Sequence, residues 1–314
     1  PSWSDTDASR ALVRVEQHDE AMGATFSIVL HGKDRAALEA AANAALDEAQ
    51  RLDQLLSNYR PTSEWSAMNR GAATRPVRVS DELFMLLQNC MTYSRQSEGA
   101  FDITVGPLVK LWGFFEGEGE LAGRAQVINT LRRVGYRHVQ LDLAAKTVAF
   151  ERPGMELDPG GIGKGYAIDR MVEVLKRHRV RIALLSASGS SIYGMGSPPG
   201  EPGGWKVKIR APRDPHASVA EVQLENMSIS TSGGYEKFFW ANGRAYSHII
   251  DPRSGYPARG SAAVSVLAPR AVDSEAWTKP FFVNGRTWTA AHKPSDVRVL
   301  FCEDVPTEPC TWIQ

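Results

Sequence analysis

The distribution of two hydrophobic periods along the chain narrows the fold more than any other feature. Residues 34–56 carry Leu38, Ala41, Ala45, Leu52, Leu55 and Leu56 at helical spacing, the pattern of a helix that buries one face. A second helix starts at Ser80, whose hydroxyl suits an N-cap ahead of Asp81 and Glu82 in the first turn. A third, over about residues 164–178, buries Ile168, Met171, Val172 and Leu175. From Arg181 the period shortens to that of strands, clearest at residues 182–185, 205–210, 220–224, 262–267 and 297–301. An earlier strand is predicted over 22–30, a hairpin over 138–152 and a loop over 57–79. Helices gathered in one half and short strands in the other define an α+β chain of antiparallel sheets with packed helices. No repeat or linker divides it. Residues 21–314 therefore read as a single domain, and 1–20 as a loosely ordered N-terminal extension.

The 36 basic and 36 acidic side chains cancel, so no global field draws the chain to nucleic acid or an anionic membrane. Any anion must be gripped locally. No apolar run is long enough to cross a bilayer, and no leader pattern opens the chain. Cys90 lies in an apolar run and reads as core. Cys302 and Cys310 flank a proline-containing loop. A disulfide and two free thiols are equally compatible with that placement, and no cysteine pair has zinc-site spacing.

Four segments concentrate chemistry. Asp158-Pro159-Gly160-Gly161-Ile162-Gly163-Lys164-Gly165 lies between a strand and a helix. Glycines there let backbone N–H groups approach a phosphate, and Lys164 adds a full charge. A plain glycine-rich turn is the alternative, because the spacing matches neither of the familiar nucleotide-binding loops. The second segment joins Thr231-Ser232-Gly233-Gly234-Tyr235 to the loop holding His248 and Asp251. This is either a base with its orienting carboxylate or ordinary turn chemistry. Residues 99–114, with Ala100, Phe101 and Asp102, form a pocket wall for a flat ring or simply core. In the fourth, Asp273, Glu275 and Thr278 are ligands for Mg²⁺ or the acidic start of a helix.

Together these segments resemble the FAD:protein FMN transferase (ApbE) family. The match begins at Met22-Gly23-Ala24-Thr25 and passes through Asn58-Tyr59-Arg60-Pro61, Ser63-Glu64 and Asn69. It continues through 99–113, 158–169, 231–235 and 248–255, and fades after about Gly285. The resemblance implies two intertwined lobes around a flavin cleft, with FAD as ligand and Mg²⁺ at its pyrophosphate. Met22 and Tyr59 would contact the isoalloxazine. Ala100, Phe101 and Asp102 would line its site, Asp158 and Lys164 would hold the rest of FAD, and Ile250 would pack against it. The carbonyl of Gly161 would ligate the metal. His248 and Asp251 are candidates for base and orienter of the attacking hydroxyl. The partner implied is an acceptor protein with an Asp-x-x-[Thr/Ser]-Gly-[Ala/Ser]-[Thr/Ser] segment. The family works outside the cytoplasm, often lipid-anchored, so an exported chain is expected, periplasmic or membrane-anchored.

The sequence departs from the family at three places. Glu275 stands where an Asp is usual, and Lys279 where a Thr is usual. A charged lysine cannot ligate a metal, although its ammonium can replace the ion's charge, or Asp273 and Thr278 can rearrange to bind one. Ser186-Ala187-Ser188-Gly189-Ser190-Ser191 replaces an Asn followed by Gly-Gly-Asp, and Pro159 replaces an apolar residue. Three functions are therefore open: FMN transfer from FAD to a Thr or Ser hydroxyl, FAD pyrophosphatase action giving FMN and AMP, and silent FAD binding.

Overall fold

The computed structural model describes residues 12–305 and 307–314. The chain opens with β1 (Val13–Ala21) and β2 (Ala24–Gly32), then α1 (Arg35–Leu56), α2 (Glu64–Gly71), β3 (Val77–Arg78) and α3 (Asp81–Gln96). Next come α4 (Gly106–Leu111), α5 (Arg124–Leu131), β4 (Val139–Asp142), β5 (Thr147–Phe150) and α6 (Gly163–Arg177). The second half holds β6 (Ile182–Ala187), β7 (Ser191–Met195), β8 (Trp205–Ala211), β9 (Asp214–Leu224) and β10 (Met227–Gly233). It ends with β11 (Phe238–Ala241), β12 (Arg244–Ser247), β13 (Ser261–Ala268), α7 (Ala271–His292), β14 (Arg298–Glu303) and β15 (Thr311–Trp312).

Eight strands form the main sheet in the order β1-β2-β6-β7-β10-β13-β14-β15, and each neighbouring pair is antiparallel. Residues alternate across a strand, so Phe26, Ile28 and Leu30 of β2 all point into the core, where they pack with α1 and α6. A second cluster joins α3 and α7 to β13 and β14 through Phe84, Phe281, Val264 and Phe301. Ser80 caps α3 as expected, accepting from the Leu83 N–H, and Asp34 caps α1 by accepting from the Ala37 N–H.

A row of hydroxyls seats α7 on β10. Ser228 Oγ donates to the Ala268 carbonyl at 2.8 Å and lies 2.9 Å from Ser274 Oγ. Ser230 reaches both Ser274 at 2.8 Å and Ser191 at 3.0 Å. Ser232 Oγ donates to Thr278 Oγ1 at 2.8 Å. These groups are buried, so each bond saves the cost of stranding a polar group away from water.

Two expectations are corrected. Residues 13–20 are not a loose extension: β1 pairs along its length with β2, and Val15 and Ala21 are buried. Residues 1–11 lie outside the described residues. The run 57–79 is not all loop. Ser63 caps α2 by accepting from the Ser66 N–H, and Trp65 and Met68 are fully buried. Two apolar side chains in one short helix give too little periodicity to stand out. Among the described residues no helix is long and apolar enough to cross a membrane.

Cys302 and Cys310 are bridged, and Cys90 is a buried free thiol. The bridge ties the approach to β15 back onto β14. Replacing both cysteines by serine is expected to lower stability by about 2–3 kcal/mol, because the closed loop is short. Thermal unfolding with and without reductant measures this. Equal melting temperatures would mean that the bridge adds nothing.

Candidate active site

One cleft gathers most of the singled-out residues: Tyr59, Ala100, Phe101, Asp102, Asp158, Gly161, Lys164, His248, Ile250, Glu275 and Thr278 all line it. One wall is the segment following Gly99. The other is built from β10, α7 and the loop before α6.

The glycine-rich loop is shaped by Asp158. Its Oδ1 accepts from the Gly160 N–H at 2.7 Å and its Oδ2 from Asn58 Nδ2 at 2.9 Å. Pro159 contributes no N–H, but its carbonyl accepts from Ile162 and Gly163 at 3.0 and 2.9 Å and starts the helix. Lys164 then reaches over the cleft and donates to Ser190 Oγ at 2.7 Å. Asp102 caps a short 3₁₀ turn: Oδ1 accepts from the N–H and hydroxyl of Thr104, and Oδ2 from the Tyr136 N–H at 2.8 Å. Burial raises the pKa of both Asp102 and Asp158. Their oxygens are committed to the fold, so both carboxylates shape the wall. The ring of Tyr59 is 55% exposed and stacks on Phe115 at 4.7 Å, which leaves an aromatic face at the cleft mouth.

Helices α6 and α7 cap each other. The Gly165 N–H donates to Glu275 Oε2 at 2.6 Å. Asp169 answers by accepting from the Ala271 and Val272 N–H groups at 2.8 and 2.9 Å. Burial raises Asp169 to a pKa of about 6. Each helix thus supplies a carboxylate to the positive end of the other.

His248 is fixed by a carbonyl. Its Nδ1 lies 3.0 Å from the Lys237 carbonyl oxygen. A carbonyl only accepts, so Nδ1 carries the hydrogen and Nε2 the lone pair. Burial, with the charge of Lys279 next, lowers the pKa of His248 to about 4. The imidazole is therefore neutral across ordinary pH. Unfolded histidine takes up a proton near 6.5, and the folded one only near 4. Its contribution to stability is thus present above about 6.5 and is lost as pH falls toward about 4. A reaction that uses Nε2 as base is expected to keep its rate down to about pH 5 and to lose it near 4. Initial rates across pH check this. An acid limb at 6.5 would contradict the burial of the ring.

Three sequence candidates lie elsewhere. Asp251 does not orient His248. Its carboxylate holds the Arg253 guanidinium at 2.9 and 3.1 Å and the Arg253 N–H at 3.0 Å, in a turn closed by the Ile250–Pro257 bridge. Asp273 points away from the cleft, to Tyr93 and to Arg270 at 2.7 Å. Two helical residues differ in direction by about 200°, so Asp273 and Glu275 cannot share a face. Met22 is not among the cleft-lining residues. It packs between the two main core clusters, and its N–H donates to Asp53 Oδ1 at 3.0 Å. The Lys237 carbonyl was not anticipated, because a backbone group carries no sequence signal. Ser232 belongs to the hydroxyl segment 231–235 and Ser190 to the departure at 186–191, but their pairing with Lys279 and Lys164 is set by the fold.

The donors around Gly161 do not suit Mg²⁺, a hard ion that takes several oxygens. Among the described residues no three His, Cys, Asp or Glu side chains converge on one point. Glu275 is committed to Gly165, and Thr278 Oγ1 already donates to the Glu275 carbonyl at 2.7 Å. The side chain of Lys279 lies over Gly161. Burial lowers its pKa, opposed by Glu275.

An antiparallel α+β scaffold with an aromatic wall, a glycine-rich turn, three lysines and a neutral imidazole on one cleft defines a class suited to chemistry on an aromatic ligand that bears phosphate. The chain belongs to the ApbE family, whose sequence pattern matches residues 22–301. It is 31% identical to an FAD:protein FMN transferase of Klebsiella pneumoniae (strain 342), over 89% of this chain and 86% of that one. It is 33% identical to the FAD:protein FMN transferase of Treponema pallidum (strain Nichols), over 88% and 80%. The crystal structure of the ApbE protein of Thermotoga maritima superposes with a TM-score of 0.85 at 28% identity, covering 93% of this chain and 95% of that one. The apo flavinyl transferase ApbE of Pseudomonas stutzeri gives 0.82 at 27% identity, covering 96% and 94%.

Proposed function

We propose that this chain moves the FMN half of FAD onto a Thr or Ser hydroxyl of an acceptor protein and releases AMP. The observation that carries it is His248, a neutral imidazole with a defined basic nitrogen, on the same cleft as a lysine-bearing glycine loop. A base for the incoming hydroxyl and positive charge for the phosphate are what such a transfer needs. In this reading the isoalloxazine lies against Tyr59, Phe101 and Ile250. Its diphosphate runs along Gly160, Gly161 and Lys164, and Asp102 and Asp158 hold those walls in shape. The acceptor hydroxyl enters beside His248 and gives its proton to Nε2.

The acceptor carries the Asp-x-x-[Thr/Ser]-Gly-[Ala/Ser]-[Thr/Ser] segment, and the protein works in an exported, oxidising setting. The Cys302–Cys310 bridge supports that location. Incubation with FAD and a peptide bearing the segment tests the reading. AMP release with flavin fixed to the peptide is expected. AMP with free FMN alone would make the chain a pyrophosphatase, and FAD binding without AMP a silent binder.

A further inference from the structure

Lys279 stands one turn beyond Glu275 on α7, in a position that the resemblance gives to a metal ligand. Its ammonium donates to Ser232 Oγ at 2.8 Å and to Thr278 Oγ1 at 3.3 Å. Its stem lies over the glycine loop: a β-carbon on Gly161 would sit 3.6 Å from Lys279 Cγ and 3.9 Å from Cε. An ammonium has three donors, and two are used by this chain's own hydroxyls. Lys164 lines the same cleft from α6, held by Ser190. Two cations thus flank Gly160 and Gly161, where backbone and charge together favour a phosphate. Two carboxylates share the cleft: Glu275 is tied to the Gly165 N–H, and Glu236 faces both lysines and offsets part of their charge before a ligand enters.

Resting on the transferase reading, we propose that Lys279 is the built-in cation of this cleft, and that with Lys164 it receives the FAD diphosphate so that binding and FMN transfer proceed without a divalent metal. The acceptor oxygen forms its bond to the FMN phosphorus as the bridging P–O bond breaks. AMP leaves with the bridging oxygen and the electron pair, and the hydroxyl proton passes to His248 Nε2. The ammonium groups stay in place and offset the negative charge that gathers on the departing phosphate.

The full chain is stripped with EDTA, its metal content is checked by mass spectrometry, and it is titrated with FAD by flavin fluorescence. AMP release is then followed with the acceptor peptide. FAD affinity and rate in EDTA are expected to lie within about twofold of those in Mg²⁺. Lys279→Met weakens FAD binding by about tenfold or more in either condition, the loss of one charge-assisted contact. Lys279→Thr weakens it in EDTA but regains affinity when Mg²⁺ is added. Loss of FAD binding by the stripped wild type, restored by Mg²⁺, would overturn the proposal. So would unchanged FAD affinity in both variants. Metal-free FAD binding that depends on Lys279, with no AMP under any condition, would instead sink the transferase reading and leave Lys279 as the diphosphate's cation.

Discussion

Replacing His248 with glutamine is expected to slow FMN transfer by about 10²–10⁴-fold, the usual contribution of a positioned base. FAD affinity should change little, because the imidazole is neutral and the diphosphate is met by other residues. Glutamine keeps a donor for the Lys237 carbonyl and removes the basic nitrogen. The loss should therefore appear in kcat and equally in kcat/KM for the acceptor. Single-turnover AMP release, beside FAD titration of the same variant, separates the two effects. A variant that binds FAD normally and transfers FMN at the wild-type rate would remove His248 from the reaction. Burial and the positive charge of Lys279 act in the same direction, both disfavouring a proton on the ring. Base and cations can therefore share one cleft without competing.

The second large effect concerns stability. Gly165→Ala places a methyl 2.3 Å from the Ala271 carbonyl oxygen, 2.7 Å from its carbon and 3.0 Å from Glu275 Cβ. The first two of these atoms are backbone and cannot swing aside, so α6 and α7 must separate. Overpacking and the strained Gly165–Glu275 bond together cost about 3–5 kcal/mol, which for a chain of this length lowers the melting temperature by about 5–10 °C. Gly161→Ala is the control. Its added methyl meets neighbours at 3.5 Å and beyond, so stability should stay within about 0.5 kcal/mol. Differential scanning calorimetry of both variants decides the matter. Equal melting temperatures would show that the helices have room to part.

Much of this was legible in the sequence because the signals were local. The cap at Ser80 and the apolar stripe of α1 are properties of neighbouring residues. The glycine loop declared itself by composition, and its helix began within a residue of the expected place. What stayed hidden depends on direction or on backbone. Asp251 has a plausible spacing from His248, but the turn aims its carboxylate at Arg253. Asp273 had a detectable warning, since helical geometry puts it opposite Glu275 while Thr278 and Lys279 share the Glu275 face. Met22 sits in the two-residue turn between β1 and β2, and its partly buried packing beside α6 is set by long-range contacts. The tautomer of His248 rests on a carbonyl that every residue possesses.

The hydroxyl row between β10 and α7 sets the lineage's freedom to change. Rotating α7 by one residue would break the bonds at Ser274 and Thr278 together, so the helix has one seat. Position 279 lies just past that seat, at the cleft. A mutation there exchanges the charge offered to a ligand and removes the ammonium's bonds to Ser232 and Thr278, while the Ser274 bonds and the Ser232–Thr278 bond that seat the helix are made without it. In the proposal that Lys279 is the cleft's built-in cation, dependence on an external ion turns on this single position, with the surrounding architecture inherited whole.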